Sequence, residues 1–199
     1  VIRDGKRVKN TIPLKGMRRA IAEHMVRSLS ISAQLTAIGE IDMAQAVKLR
    51  NELLARQDAV GSRISYTDIL VSVVARAIGD FPIVNSSVIG DEIKVWDSVN
   101  IGIAVALEDG LVVPVIKDAD KMSIAEISRA VRDLAARARE GRLRPDEVTG
   151  GTFTLTNLGA AGAGWRFETS IINQPESAIL GTGGITDRAV VRAGQIVIR

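Results

Sequence analysis

The stretch VNIGIAVALEDGLVVPVI, Val99 to Ile116, sets the frame for reading the rest of the chain. Two nearly continuous apolar runs are separated by Glu108, Asp109 and Gly110. An Asp-Gly step between such runs predicts a β-hairpin that turns at Asp109-Gly110. Polar alternation is almost absent, so both strands are expected to be central in a sheet. Pro114 has no N–H to offer a ladder, so it marks a bulge or an edge in the second strand.

Upstream, NSSVIGDEIKVWD (85–97) predicts another hairpin, turning at Gly90-Asp91. Before it, Ser65 and Asp68 form an S-x-x-D capping signal. The helix they open, roughly Thr67 to Ile78, is apolar on nearly all sides and is expected to be buried. Pro82 marks its end. QDAVGSR (57–63) reads as a loop. An earlier helix, with Asp42 as N-cap, carries Met43, Ala46, Val47, Leu49, Leu53 and Leu54 as its apolar positions. AQLTAIGEIDM (33–43) is short and β-branched and reads as a strand. Met17, Ile21, Met25 and Leu29 recur at i, i+4 steps and predict one stripe of a helix. Residues 1–13 show no sustained period. With Arg3, Lys6, Arg7, Lys9 and the nearby Lys15, they read as an extended basic arm or linker ahead of a core domain spanning 14–199.

Downstream, Ser123 and Glu126 make another capping box. The helix behind it has Ile124, Ile127, Val131, Leu134, Ala135 and Ala138 on one face and closes at Gly141. Short strands are expected at Thr152–Thr156, Ala178–Thr182, Asp187–Val191 and Gln195–Arg199. Helices interleaved with hairpins argue for an α+β fold with a mixed sheet.

Composition narrows the chemistry. The chain has 199 residues, 46% hydrophobic and 25% charged, enough for one globular domain. It contains no cysteine and one histidine, which removes disulfides and thiol nucleophiles and argues against a zinc site, so no metal is expected. No apolar run approaches the ~20 residues of a membrane-spanning helix. Net charge is +3 and aromatics are 3%, with basic residues spread along the chain. This argues against base-stacking nucleic-acid binding. Neither membrane nor nucleic acid is an expected partner.

Few residues stand out as chemical candidates. In GGTFTLTNLGAAGAG (150–164), Thr156 ends a β-branched run beside a glycine-rich loop. It is either a product of β-propensity or a hydroxyl aimed at reacting groups. GAAGAG lacks the dinucleotide spacing and is followed by no helical pattern, so it reads as a mobile or channel-lining loop rather than a phosphate cradle. Trp165 and Phe167 alternate around Arg166 as in a strand or an interface patch. His24 sits one position off an apolar stripe and reads as a half-buried or surface histidine. The acidic pairs Glu108-Asp109 and Asp146-Glu147 read as solvated turn carboxylates.

Five segments in order change this picture: IPLKGMRRAIAEHMVRSL, FPIVNSS, VNIGIAVALEDGLVVPVIKDAD, GGTFTLTNLG and INQPESAILGTG. Together they resemble the catalytic core domain of dihydrolipoamide acyltransferases, the central component of 2-oxo acid dehydrogenase complexes. The resemblance runs from about Thr11 to Arg199. It implies a fold like that of chloramphenicol acetyltransferase, a mixed sheet flanked by helices. Such domains form trimers, which build a hollow cubic or dodecahedral core. The implied partners are further copies of the chain and the decarboxylase and dihydrolipoamide dehydrogenase components. The implied setting is the bacterial cytoplasm or the mitochondrial matrix.

The implied reaction moves an acyl group between S-acyl-dihydrolipoyllysine and coenzyme A. The lipoyl group is carried on a separate N-terminal domain, and the channel lies between two subunits. The family's T-x-[ST]-x-x-G segment places its oxyanion-stabilising hydroxyl at Thr156. Asn85, Ser86 and Asn157 are the expected channel residues. Arg50 matches an arginine that supports the acid of a D-H-R-x-x-D-G motif. That motif, with the family's basic histidine, is not in these residues: His24 is followed by Met25, Val26, Arg27 and Ser28. The expectation is a core domain lacking its C-terminal segment. The alternatives are an inactive scaffold and a free-standing O-acetyltransferase of the chloramphenicol type. Ser32-Ala33-Gln34 is similar to the wording of acetoin-type relatives. Ser170 stands where a proline is frequent, which leaves the acyl group open.

Overall fold

The structure is a computed structural model that describes residues 2–3, 5–162 and 168–199. Trp165, Arg166 and Phe167 lie outside the described residues. The chain starts with a small antiparallel hairpin, β1 (Ile2–Arg3) and β2 (Lys6–Arg7). Helix α1 (Met17–Ile31) follows, then α2 (Ala44–Ala55), the single turn α3 (Gln57–Val60) and α4 (Tyr66–Asp80). Strands β3 (Ser86–Ile89) and β4 (Glu92–Val95) form the expected hairpin around Gly90-Asp91. Strands β5 (Ile101–Ile103), β6 (Val105–Leu107), β7 (Gly110–Val112) and β8 (Val115–Ile116) come from the long apolar stretch. Helix α5 (Ile124–Arg139), β9 (Phe153–Asn157), β10 (Ile179–Thr182) and the hairpin β11 (Ala189–Arg192) and β12 (Gln195–Ile198) complete the chain.

The main sheet is mixed, in the order β10-β9-β5-β8. β9 runs parallel to both β10 and β5, and β8 is antiparallel to β5. The stretch Val99–Ile116 therefore splits into two ladders. β5 pairs with β8 in the main sheet, while β6 and β7 form the hairpin tip around Glu108-Asp109, one residue earlier than expected. Only the first arm is central; β8 is the edge of this sheet. Pro114 stands at the break, where its carbonyl accepts from Ile103 N–H at 2.9 Å, and it leaves the ladder where it has no N–H to contribute.

The core lies on one face of the sheet. Ile101, Ile103, Phe153 and Leu155 meet Val71, Ala75 and Ile78 of α4 and Ile127 and Leu134 of α5. Both helices begin at reciprocal caps. Ser65 Oγ accepts from Asp68 N–H at 3.2 Å, and Ser123 Oγ from Glu126 N–H at 3.3 Å, each acid returning a bond to its cap residue. Gly141, at φ 66°, ends α5 as expected. α4 is buried except for its outer side, where Val73 is 59% exposed.

Three expectations are corrected. The segment 33–43 forms no strand: Leu35, Ile38 and Ile41 are 92%, 60% and 76% exposed, and β-propensity had no partner strand among the described residues. Residues 57–60 make a helical turn closed by Gly61 in the left-handed region. The stripe of α1 is rotated. Met17 and Leu29 are exposed, while Ser28 is fully buried because its hydroxyl donates to Ile172 O at 2.6 Å.

Candidate active site

Strand β9 carries the site. Alternation sends Phe153 and Leu155 into the helix-covered core and Thr154 and Thr156 to the opposite face. Thr154 is 1% exposed, whereas Thr156 is half-buried at the strand's C-terminal end. The parallel register sets Thr156 beside Gly181 of β10. A residue with a Cβ at Gly181 would meet Thr156 Cγ2 at 3.7 Å and Ser170 Oγ at 3.0 Å, so glycine permits the close approach of Ser170 to this end of the strand. Asn157 Nδ2 donates to Thr67 Oγ1 at 2.9 Å, which ties the strand end to the first turn of α4.

Behind Thr156 runs a buried polar chain that the sequence does not announce. Thr154 Oγ1 donates to Glu176 Oε2 at 2.6 Å, Asn173 Nδ2 donates to Glu176 Oε1 at 3.0 Å, and Asn173 Oδ1 lies 3.0 Å from His24 Nε2. Glu176 is 3% exposed, just after the cis Gln174-Pro175 bond. Burial pushes its carboxyl up to about 7, against the opposing pull of the Thr154 and Asn173 bonds. Glycines make the room: a Cβ at Gly151 would lie 2.9 Å from Glu176 Oε1, and one at Gly102 would lie 3.1 Å from Thr154 Oγ1. A glycine inside an apolar strand is a signal of close approach, and Gly102 could have pointed here. Glu176 itself had no such signal, because a single acid in a loop reads as solvated.

His24 is half-buried, as expected from its place beside the apolar stripe. Among the described residues its hydrogen bonds reach β9 through Asn173 and Glu176. Arg50 lies on the inner side of α2 in a stripe with Met43, Ala46, Val47, Leu53 and Leu54, while Leu49, expected there, is 42% exposed. Its guanidinium carbon sits 4.6 Å from the centre of the Tyr66 ring, a cation–π distance. Its Nε is buried without a hydrogen-bond partner among the described residues.

Asn85 is 1% exposed and clamps the loop beyond β4: Nδ2 donates to Trp96 O at 2.9 Å and Ser98 O at 3.0 Å, while Oδ1 is buried without a partner among the described residues. Ser86 Oγ donates to Ile83 O at 2.7 Å and is 3.5 Å from Ser177 Oγ. Ser177 precedes β10, and Thr156 pairs near that strand's other end. Within one chain, then, Asn157 adjoins Thr156, whereas Asn85 and Ser86 sit at the opposite end of β10 and Arg50 sits on α2. Among the described residues no three acidic or histidine side chains gather as a metal site, and no helix is long and apolar enough to cross a membrane.

Comparison with known proteins places this geometry. The family model "2-oxoacid dehydrogenases acyltransferase (catalytic domain)" matches residues 6–199. The chain is 39% identical over 196 residues to the dihydrolipoyllysine-residue succinyltransferase component of the 2-oxoglutarate dehydrogenase complex of Cupriavidus necator, covering 98% of this chain and 47% of that protein. It is 40% identical over 186 residues to the dihydrolipoyllysine-residue acetyltransferase component of the pyruvate dehydrogenase complex of Bacillus subtilis, covering 92% and 42%. It thus spans about half the length of the curated relatives it matches. A probable dihydrolipoamide acetyltransferase from Listeria monocytogenes superposes with TM-score 0.90 at 36% identity, over 96% of this chain and 81% of that one. The cubic core of a pyruvate dehydrogenase multienzyme complex superposes with TM-score 0.90 at 28% identity, over 96% and 78%. The mixed sheet flanked by helices is the fold of these catalytic cores, and the chain belongs to the 2-oxoacid dehydrogenase acyltransferase catalytic-domain family.

Proposed function

We propose that this chain transfers an acyl group between S-acyl-dihydrolipoyllysine and coenzyme A in a 2-oxo acid dehydrogenase-type complex, with Thr156 as the hydroxyl that stabilises charge on oxygen. The observation that carries this is the position of Thr156. It is half-buried at the end of a central strand, beside a glycine, in a chain whose family is the acyltransferase catalytic domain.

The chemistry needs such a group. A thiol like that of coenzyme A has an ordinary pKa of about 8.5, so a general base must take its proton for fast attack at neutral pH. The thiolate adds to the thioester carbonyl, and negative charge develops on the carbonyl oxygen. A hydroxyl donating there is worth roughly 3 to 4 kcal/mol. Collapse expels the dihydrolipoyl thiolate, which takes up the proton held by the base. His24 is bonded to Asn173, so the proposed acceptor is a histidine of the family's motif rather than His24.

In the same reading, Arg50 holds that motif's acid, supported by its buried Nε, which has no hydrogen-bond partner among the described residues. Asn85, Ser86 and Asn157 belong to the approach for coenzyme A and lipoyl arm, Asn85 by clamping the loop at 96–98. The site is completed between protomers of a trimer, and trimers build a larger core that docks the decarboxylase and dihydrolipoamide dehydrogenase components. Residues 1–13 serve as the linker to the N-terminal lipoyl-bearing part. The exposed apolar residues Leu35, Ile38, Ile41, Val191, Ile196 and Ile198 support burial against other copies. The test is Thr156→Ala in the full-length enzyme, assayed for acyl transfer from acetyl-CoA to dihydrolipoamide. Turnover is expected to fall about 100- to 1000-fold while the particle mass in light scattering is unchanged. Unchanged turnover removes Thr156 from the mechanism.

A further inference from the structure

The relatives divide over the acyl group: similar identity links this chain to a succinyltransferase and to an acetyltransferase. The notch beside Thr156 bears on that choice. Thr156 and Gly181 are paired residues on parallel strands, so their side-chain positions share one face of the sheet. Gly181 is exposed and carries no side chain, and the point where a Cβ would stand is closely flanked rather than empty. Three groups look onto that point: Ser170 Oγ at 3.0 Å, Glu168 Oε1 at 3.7 Å and Thr156 Cγ2 at 3.7 Å. Ser170 Oγ donates to Glu168 Oε1 at 3.1 Å, which aims the carboxylate into the notch. Glu168, Ser170 and Thr156 are all half-buried, so the notch is neither sealed nor spread on the surface. Among the described residues no lysine or arginine pairs with Glu168.

We propose that Glu168, held by Ser170 in the notch left by Gly181, is a specificity-determining residue that turns away acyl groups ending in a carboxylate. The inference rests on the reading that the thioester carbonyl sits at Thr156. An acyl group there extends a few bond lengths beyond the carbonyl, and the notch lies within that reach. A neutral chain meets a methyl group, a hydroxyl and the edge of a carboxylate. A succinyl chain brings a second negative charge towards the half-buried Glu168. Like charges that close repel strongly at the effective dielectric of such a site. Rejection by an uncompensated charge is a common route to specificity. The substrate class is therefore a neutral acyl group, acetyl or another short aliphatic chain.

The test compares butyryl-CoA with succinyl-CoA, which share a four-carbon chain and differ in the terminal carboxylate. The full-length assembled enzyme and its Glu168→Gln variant are assayed with dihydrolipoamide as acceptor. The wild type is expected to favour butyryl-CoA in kcat/KM by at least about tenfold, and the variant to narrow that ratio by at least about tenfold. Added salt narrows the ratio in the wild type and not in the variant. Calorimetric binding of the two esters reads the same discrimination without turnover. A wild type that uses or binds succinyl-CoA as well as butyryl-CoA overturns the proposal, as does a variant with an unchanged ratio. Failure of the underlying reading is a separate result: Thr156→Ala then leaves turnover intact with every ester, whatever the Glu168 ratio shows.

Discussion

Replacing Glu176 by glutamine tests whether the polar chain behind Thr156 is charged or neutral at working pH. Glu176 is 3% exposed, and burial raises its carboxyl from the ordinary 4.5 to about 7. The sign follows from linkage. Between about 4.5 and 7 the folded state keeps this proton while the unfolded chain releases it. The unfolded state then binds fewer protons, and stability falls as pH rises. Below the ordinary value the group costs nothing, and above about 7 the loss is complete. Stability falls by about 1.4 kcal/mol for each pH step across that interval, so the full loss is on the order of 3 kcal/mol. Glutamine has the same shape and can still meet Thr154 and Asn173, but it does not titrate. The difference in stability between Glu176→Gln and the wild type should therefore move by about 3 kcal/mol in favour of the variant from pH 4.5 to pH 8. For a chain of this length that is a change of roughly 6 to 12 °C in the difference of melting temperatures. The assay is thermal unfolding in matched buffers at fixed protein concentration, since assembly makes melting concentration-dependent. A difference constant across that range refutes the assignment of a buried, proton-holding carboxyl at 176.

Other outcomes follow from local geometry. Gly102→Ala places a Cβ 2.7 Å from Val113 Cγ1 and 3.1 Å from Thr154 Oγ1, and is expected to destabilise the chain by about 1 to 3 kcal/mol in urea titration. Ser65→Ala removes one half of the α4 capping box and is expected to lower stability by about 1 kcal/mol in the same titration. Arg137 donates to both oxygens of Glu147, at 2.6 and 2.7 Å, and holds that carboxyl down to about 2. Stability from this pair is present above the ordinary value of 4.5 and is lost as pH falls towards 2. Glu147→Gln should flatten the acid side of the melting profile.

The two faces of β9 divide the work of the fold. One face is apolar and rigid: Phe153 and Leu155 are locked against α4 and α5. The other is polar and threaded by hydrogen bonds that cross from α1 to the loop at 172–176 and on to the strand. That face carries Thr156 at its open end and Glu176 at its closed end. A hydroxyl held by a well-packed strand keeps its position, which is what the role proposed for Thr156 in stabilising a developing charge requires.

Residues in a short window determined much of this chain by themselves. Ser65 with Asp68, and Ser123 with Glu126, cap helices through contacts three residues apart, so their pattern is readable without a third dimension. Gly90-Asp91 and the β-branched run at 152–156 act through local backbone preference in the same way. Ordered across the chain, such segments also carried the family resemblance and with it the position of Thr156. Tertiary structure decided the rest. The partners of Thr154 and His24 lie 22 and 149 residues away, and no local periodicity records them. Arg50 shares the inner stripe of α2, but that spacing names no partner, and only the fold brings Tyr66 beneath it. The strand expected at 33–43 had the right propensity but no neighbouring ladder, because strand pairing depends on which backbone lies alongside. Burial, charge state and pairing are properties of groups brought together from distant parts of the chain, and only the folded arrangement specifies them.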